Sequence, residues 1–149
     1  MRDLSAPEAG SRDDLSALLR TRLATEPDVL VAYLFGSVAR GTDGPRSDVD
    51  VAVLIEGETA GLSRELELGE ALAPITAPRR VDVIVLNGAP VTLAYRVLRD
   101  GRLLVSRDES ARIRHWADTV DRYLDTAPMR RVIEAGQRRR LEMGTYGRR

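Results

Sequence analysis

FGSVARGTDGPRSDVDVAVL, residues 35–54, is the stretch on which the fold turns. Upstream of it, Val29 to Phe35 is apolar and rich in β-favouring residues, the pattern of a buried strand, and Gly36 ends that strand. Glycine accepts backbone angles that other residues resist and leaves room for an anion to approach the main chain. If Ser37 to Arg40 start a short helix, its first amides and the Ser37 hydroxyl converge on one anion site. Downstream, Ser47 to Ile55 reads as a second strand with Asp48 and Asp50 at its start. Their i, i+2 spacing puts both carboxylates on one face, where they repel unless a divalent cation neutralises them. Mg²⁺ suits such a site, because it takes one or two carboxylates and completes its shell with water and substrate phosphates.

Working outward, residues 1–10 read as a loose lead-in. Ser11 then caps a helix from about Arg12 to Thr25, with Asp14 reaching back and Leu15, Leu18, Leu19 and Leu23 as its apolar stripe. Pro27 stops this helix. The loop from Gly41 to Arg46 contains two Gly and one Pro, so it is expected to turn tightly, with a tip that moves when substrate binds. Arg40 and Arg46 flank it, Arg40 as a triphosphate contact and Arg46 as a solvated charge. Residues 57–63 form a turn before a second helix, Glu65 to Thr76, that points Leu66, Leu72 and Ile75 inward; Pro78 closes the segment. Arg80 to Leu86 is a third strand, where Asp82 shares a face with Ile84 and Leu86. A carboxylate there is costly unless it is paired, with Arg79 or Arg80, or binds metal.

Pro90 suits the first turn of a helix over Val91 to Arg99, with Ala94, Val97 and Leu98 inward and Gly101 as its stop. Leu103 to Val105 can add an edge strand. Residues 108–125 carry an amphipathic helix whose Ile113, Trp116, Val120 and Leu124 recur at helical spacing, a stripe that either meets a partner or closes the core, with core closure expected for Trp116. His115 has no companion ligand and reads as a packing or surface residue. Pro128 breaks that helix. A last one follows from Met129 to Met143, with Val132 and Ile133 apolar and an arginine-rich tail.

The 149 residues suit a single core with a helical extension, divided here as 1–107 and 108–149. Its 23 basic and 23 acidic residues cancel, so no direct nucleic-acid partner is expected. All the basic residues are Arg, which excludes a Lys nucleophile and leaves any phosphate clamp to arginine. With no Cys, disulfides, thiolate metal sites and thiol catalysis fall away. The N-terminus lacks the apolar core of a signal peptide and no run approaches a membrane span, so a cytoplasmic location is expected.

Gly36-Ser37, ten intervening residues, Asp48-x-Asp50 and Asp82 within RRVDVIVL (79–86) together resemble the nucleotidyltransferases of the DNA polymerase β superfamily. That resemblance implies an α/β (α+β) nucleotidyltransferase fold, a small mixed sheet flanked by helices with a C-terminal helical extension. It also implies two Mg²⁺ ions on Asp48, Asp50 and Asp82, with Asp82 drawing the proton from the attacking hydroxyl, and ATP phosphates positioned by Gly36, Ser37, Arg40 and Ser47. The stretch LAYRVLRDGRLLVSRDESAR (93–112) and the helix after it are similar to the MntA antitoxins, which are paired with HEPN-domain (HepT) toxins in type VII toxin–antitoxin systems. This implies transfer of AMP from ATP to a tyrosine of the toxin. Two alternatives belong to other classes: nucleotidyl transfer to a small molecule of the aminoglycoside kind, and an antitoxin that neutralises its partner by binding alone.

Overall fold

The computed structural model describes residues 9–57 and 61–144. A four-stranded mixed sheet is built from β1 (Val29–Phe35), β2 (Val49–Ile55), β3 (Val81–Val85) and β4 (Arg102–Ser106), in the order β3-β2-β1-β4. β1 runs antiparallel to both β2 and β4, whereas β2 and β3 are parallel. The parallel pair needs a crossover, and α3 (Gly61–Thr76) supplies it. The other helices are α1 (Ala9–Leu23), α2 (Gly36–Arg40), α4 (Val91–Asp100), α5 (Glu109–Asp125) and α6 (Ala127–Glu142).

Both faces of the sheet are covered, so the strands are apolar nearly throughout rather than alternating. One face packs Val49, Val51 and Val53 of β2 and Val83 and Val85 of β3 against Leu19 and Leu23 of α1 and Leu68 and Leu72 of α3. The other packs Tyr33, Ala52, Leu54 and Leu86 against Ala94 and Val97 of α4 and Ala111 of α5. Beyond β3, the Asn87 side chain extends the pairing by accepting from Ile55 N–H at 2.9 Å and donating to Ile55 C=O at 2.8 Å.

Several sequence expectations change. The first helix begins at Ala9 and ends at Leu23, which places Ser11 within its first turns instead of before them, and Leu18 points to solvent. In α3 the inward residues are Leu68 and Leu72; Leu66 is 63% exposed. The stripe on α5 does not close the core: Ile113, Trp116 and Leu124 are exposed, while small Ala111 and Thr119 face inward. Small residues let α5 sit close against α4, and Tyr123 stacks on Tyr95 with ring centroids 3.7 Å apart. His115 is half-buried, and burial lowers its pKa. Pro128 starts α6 instead of merely ending α5, because proline is tolerated in a first helical turn. No side chain of α6 is buried, but Arg130 fastens the helix by lying 3.5 Å from the Tyr123 ring centre and donating to Tyr123 C=O at 2.5 Å. The expected lead-in over residues 1–8, the tip of the 57–63 turn and the arginine-rich tail lie outside the described residues.

Arg64 on α3 ties that helix to the α1–β1 junction, bonding Asp28 at 2.6 Å and Glu26 at 2.7 Å while only 15% exposed. Hydrogen bonds from Arg64, opposed by burial, hold both carboxyls below their ordinary values. Their stabilisation is therefore complete above the ordinary values of 4.5 and 3.8 and is lost as pH falls through the lower folded ones. Arg64→Met is expected to cost about 2 kcal/mol at neutral pH, since partly buried Asp28 loses its bonded partner and Glu26 keeps only Arg22. Thermal melts between neutral and acid pH check this: the gap between variant and wild type should close on acidification.

Candidate active site

The strand ends assemble the site. On β2, Val49, Val51 and Val53 point into the α1/α3 core, so Asp50 falls on the opposite face with Ala52 and Leu54. Phe35, Asp50 and Asp82 are register partners across β1, β2 and β3, which sets Asp82 beside Asp50 on the same face. Asp48 precedes the strand by one residue and is half-buried. Asp82 is exposed.

Gly36 opens α2 at the end of β1 with φ of 75°, a left-handed backbone that side chains disfavour. A Cβ at this position would lie 3.1 Å from Asp50 Cγ and overlap its Oδ2. Gly36 thus serves two needs, the turn itself and the space in which the Asp50 carboxylate sits. Ser37 is half-buried in the same turn, and its C=O accepts from Thr42 N–H at 3.0 Å. Arg40, exposed at the end of α2, is near enough to favour the charged forms of both Asp50 and Asp100.

The electrostatics single out Asp50. Burial first, then the charges of Asp82 and Asp48, push its carboxyl above the ordinary value, and Arg40 only partly offsets them. None of the three aspartates has an ion-pair partner among the described residues. The alternative of Asp82 paired with Arg79 fails, because Arg79 bonds Asp43 at 2.7 Å. Nor are three carboxylates or imidazoles drawn together into metal-ligand geometry among the described residues. The expected ligands form an open cluster, as uncompensated like charges should. Surplus negative charge on hard oxygen donors fits a divalent cation.

The loop between α2 and β2 is held more firmly than its glycines suggested. The Asp43 side chain is 2% exposed, lies 2.9 Å from Arg12 of α1 and bonds Arg79. Burial opposes its charge, but hydrogen bonds from Arg79 and the backbone outweigh that and lower its pKa. Ser47 closes the turn, its hydroxyl accepting from Gly44 N–H at 2.9 Å. Of the expected phosphate contacts, then, Ser47 sits on the loop and shapes it, while Gly36, Ser37 and Arg40 border the aspartates. Nothing in the local sequence marked Asp43, because its partners lie 31 and 36 residues away in the chain.

Known proteins resemble this chain in sequence and fold. Residues 19–110 match the family model described as Polymerase beta, Nucleotidyltransferase, and that span contains every strand and the three aspartates. The protein adenylyltransferase MntA of Shewanella oneidensis is 35% identical over 78 residues, 52% of this chain and 55% of that protein, so the match spans about half of the relative's length. A crystal structure of a toxin–antitoxin with AMP-PNP superposes with TM-score 0.67 at 26% identity, covering 85% of this chain and 98% of that one. A chain of the tri-AMPylated Shewanella oneidensis HEPN toxin in complex with MNT antitoxin shares the fold at TM-score 0.63 and 22% identity, over 82% of this chain and 98% of its own. On the strength of a family match over most of its length, this chain belongs to the Polymerase beta nucleotidyltransferase family.

Proposed function

We propose that this protein is a protein adenylyltransferase antitoxin, transferring AMP from ATP to a tyrosine of a HEPN-domain toxin. The observation that carries this is the row of Asp50 and Asp82 beside the Gly36-Ser37 turn, with Asp48 one residue before the strand. It occurs in a chain 35% identical, over the matched stretch, to an adenylyltransferase. The 26%-identical structure of a toxin–antitoxin with AMP-PNP supports both the nucleotide and the kind of partner.

Asp48, Asp50 and Asp82 are the residues that would hold Mg²⁺, which when bound neutralises phosphate charge and steadies the leaving pyrophosphate. Gly36 leaves the main chain open to the triphosphate, and the Ser37 hydroxyl and Arg40 guanidinium bond its oxygens. Asp82, the exposed member of the row, accepts the proton of the tyrosine hydroxyl as the tyrosine oxygen attacks the α-phosphorus. Alignment and charge compensation carry the acceleration, as in phosphoryl transfer generally.

ATP is expected to bind at least about tenfold more tightly with Mg²⁺ than with chelator present, because the uncompensated aspartates repel a bare triphosphate. Titration calorimetry measures this; equal affinity in the two conditions would remove the metal from the proposal. AMP transfer itself is tested by incubating the protein with α-labelled ATP and a HEPN-domain protein. Label on a tyrosine of that protein supports the proposal, and an unlabelled partner refutes it.

A further inference from the structure

The sheet stops at β3, and no strand among the described residues covers its outer edge. The parallel pairing decides which backbone groups face outward. Arg80 C=O accepts from Val49 N–H at 2.8 Å and Leu86 N–H donates to Val53 C=O at 2.8 Å, so residues 80, 82, 84 and 86 turn their backbone groups toward β2. Alternation turns those of Val81, Val83 and Val85 the other way. Glu65 occupies one end of this edge, accepting from Val85 N–H at 2.9 Å. The N–H groups of Val81 and Val83 have no partner among the described residues.

Along the same edge runs a groove of about 580 Å³ between α3 and β3, walled by Leu62, Leu66 and Ala73 on one side and Val81 to Val83 on the other. Leu62 and Leu66 are 70% and 63% exposed, although Leu68 and Leu72 of the same helix are buried. The groove reaches Asp82 itself. A bare edge with an apolar wall invites pairing with another chain, and proteins usually block it. Here Glu65 closes the far end, and Glu70, Arg79 and Arg80 add charge to the groove's lining without taking the Val81 and Val83 amides.

We propose that an extended segment of the protein acceptor adds to β3 as a fifth strand, filling this groove and carrying the acceptor tyrosine to Asp82. Its alternate side chains would face the leucine wall of α3, and those between them would face the side of the sheet that holds Asp50 and Asp82. A residue level with Asp82 then lies one strand spacing away, about 4.8 Å, in the same cross-strand row. There the tyrosine oxygen bonds to the α-phosphorus of ATP, its proton passes to the Asp82 carboxylate, and the bond from the α-phosphorus to the bridging oxygen breaks to release pyrophosphate. A small hydroxyl substrate would leave both the edge amides and the leucines unused. This inference rests on the adenylyltransferase reading above.

Two variants and one exchange measurement test it, with a HEPN-domain protein as acceptor. Leu66→Arg places a charge in the groove from an exposed position, and Val81→Pro removes an outward N–H that the sheet does not use. Either is expected to raise KM for the acceptor at least about tenfold while kcat and the calorimetric affinity for ATP hold, the signature of lost acceptor binding. In the complex, the Val81 and Val83 amides should gain protection from hydrogen exchange. Unchanged acceptor KM in both variants, or amides that exchange equally fast with and without the acceptor, would overturn the strand-addition mode while leaving the adenylyltransferase activity in place. No transfer by the wild-type protein would instead overturn that activity, and this inference with it.

Discussion

Replacing Asp48 and Asp50 together by Asn should reduce AMP transfer by at least about 10³-fold while the protein remains folded. The loss follows from the proposed role of the two carboxylates, since an amide keeps the shape but neither neutralises a cation nor anchors it. The stability effect has the opposite sign. The Asp50 carboxyl is raised above its ordinary value of 3.8 by burial and by Asp82 and Asp48. A raised carboxyl means that the folded state holds the proton more tightly than the unfolded chain does. Stability therefore falls as pH climbs from 3.8 through the folded value, and it stays reduced at neutral pH. The Asn variant escapes that penalty, so its Tm at pH 7 should match or exceed the wild type's, and the two should converge in acid. Transfer activity near wild type in the double variant would remove Asp48 and Asp50 from the chemistry; a lower Tm at pH 7 would mean that they are paired in the fold.

Gly36→Ala is expected to damage the site through geometry rather than charge. The new methyl overlaps Asp50 Oδ2, and the backbone at φ of 75° must be held in a region that alanine disfavours, at a cost of about 1–2 kcal/mol. Asp50 is the side chain free to yield, and displacing a reacting group by about 1 Å can cost roughly 100-fold in rate. A drop of that order in kcat, with a Tm only a few degrees lower, is the expected result. Wild-type kcat in Gly36→Ala would show that the close approach of Gly36 and Asp50 is not used.

The same local signals explain what the sequence made legible. β1 and α2 fall where the apolar run and the glycine place them, because those constraints act over a few residues, whereas β2 starts at Val49, two residues later than expected. Period-two alternation likewise put Asp82 on the face of Ile84, and pairing then brought it beside Asp50. The helices were harder. α3 carries leucines at 62, 66, 68 and 72, which form two overlapping stripes, and only the position of the sheet decides that Leu68 and Leu72 go inward. On α5, the hydrophobic spacing pointed to Ile113, Trp116 and Leu124, yet α4 already covers that face of the sheet, so α5 packs through Ala111, Thr119 and the Tyr95–Tyr123 stack. Asp43 was illegible for the same reason: its clamp depends on arginines that meet only in the folded chain.

On the proposed reading, the row of aspartates makes this protein an enzyme acting on its partner rather than a binding protein. Intact-mass measurement of a HEPN-domain partner, co-expressed with either the wild-type chain or the Asp48→Asn/Asp50→Asn variant, tests this. A partner heavier by one or more AMP groups on tyrosine is expected with the wild type, and an unmodified partner with the variant. An unmodified partner in both cases, still bound and neutralised, would contradict it.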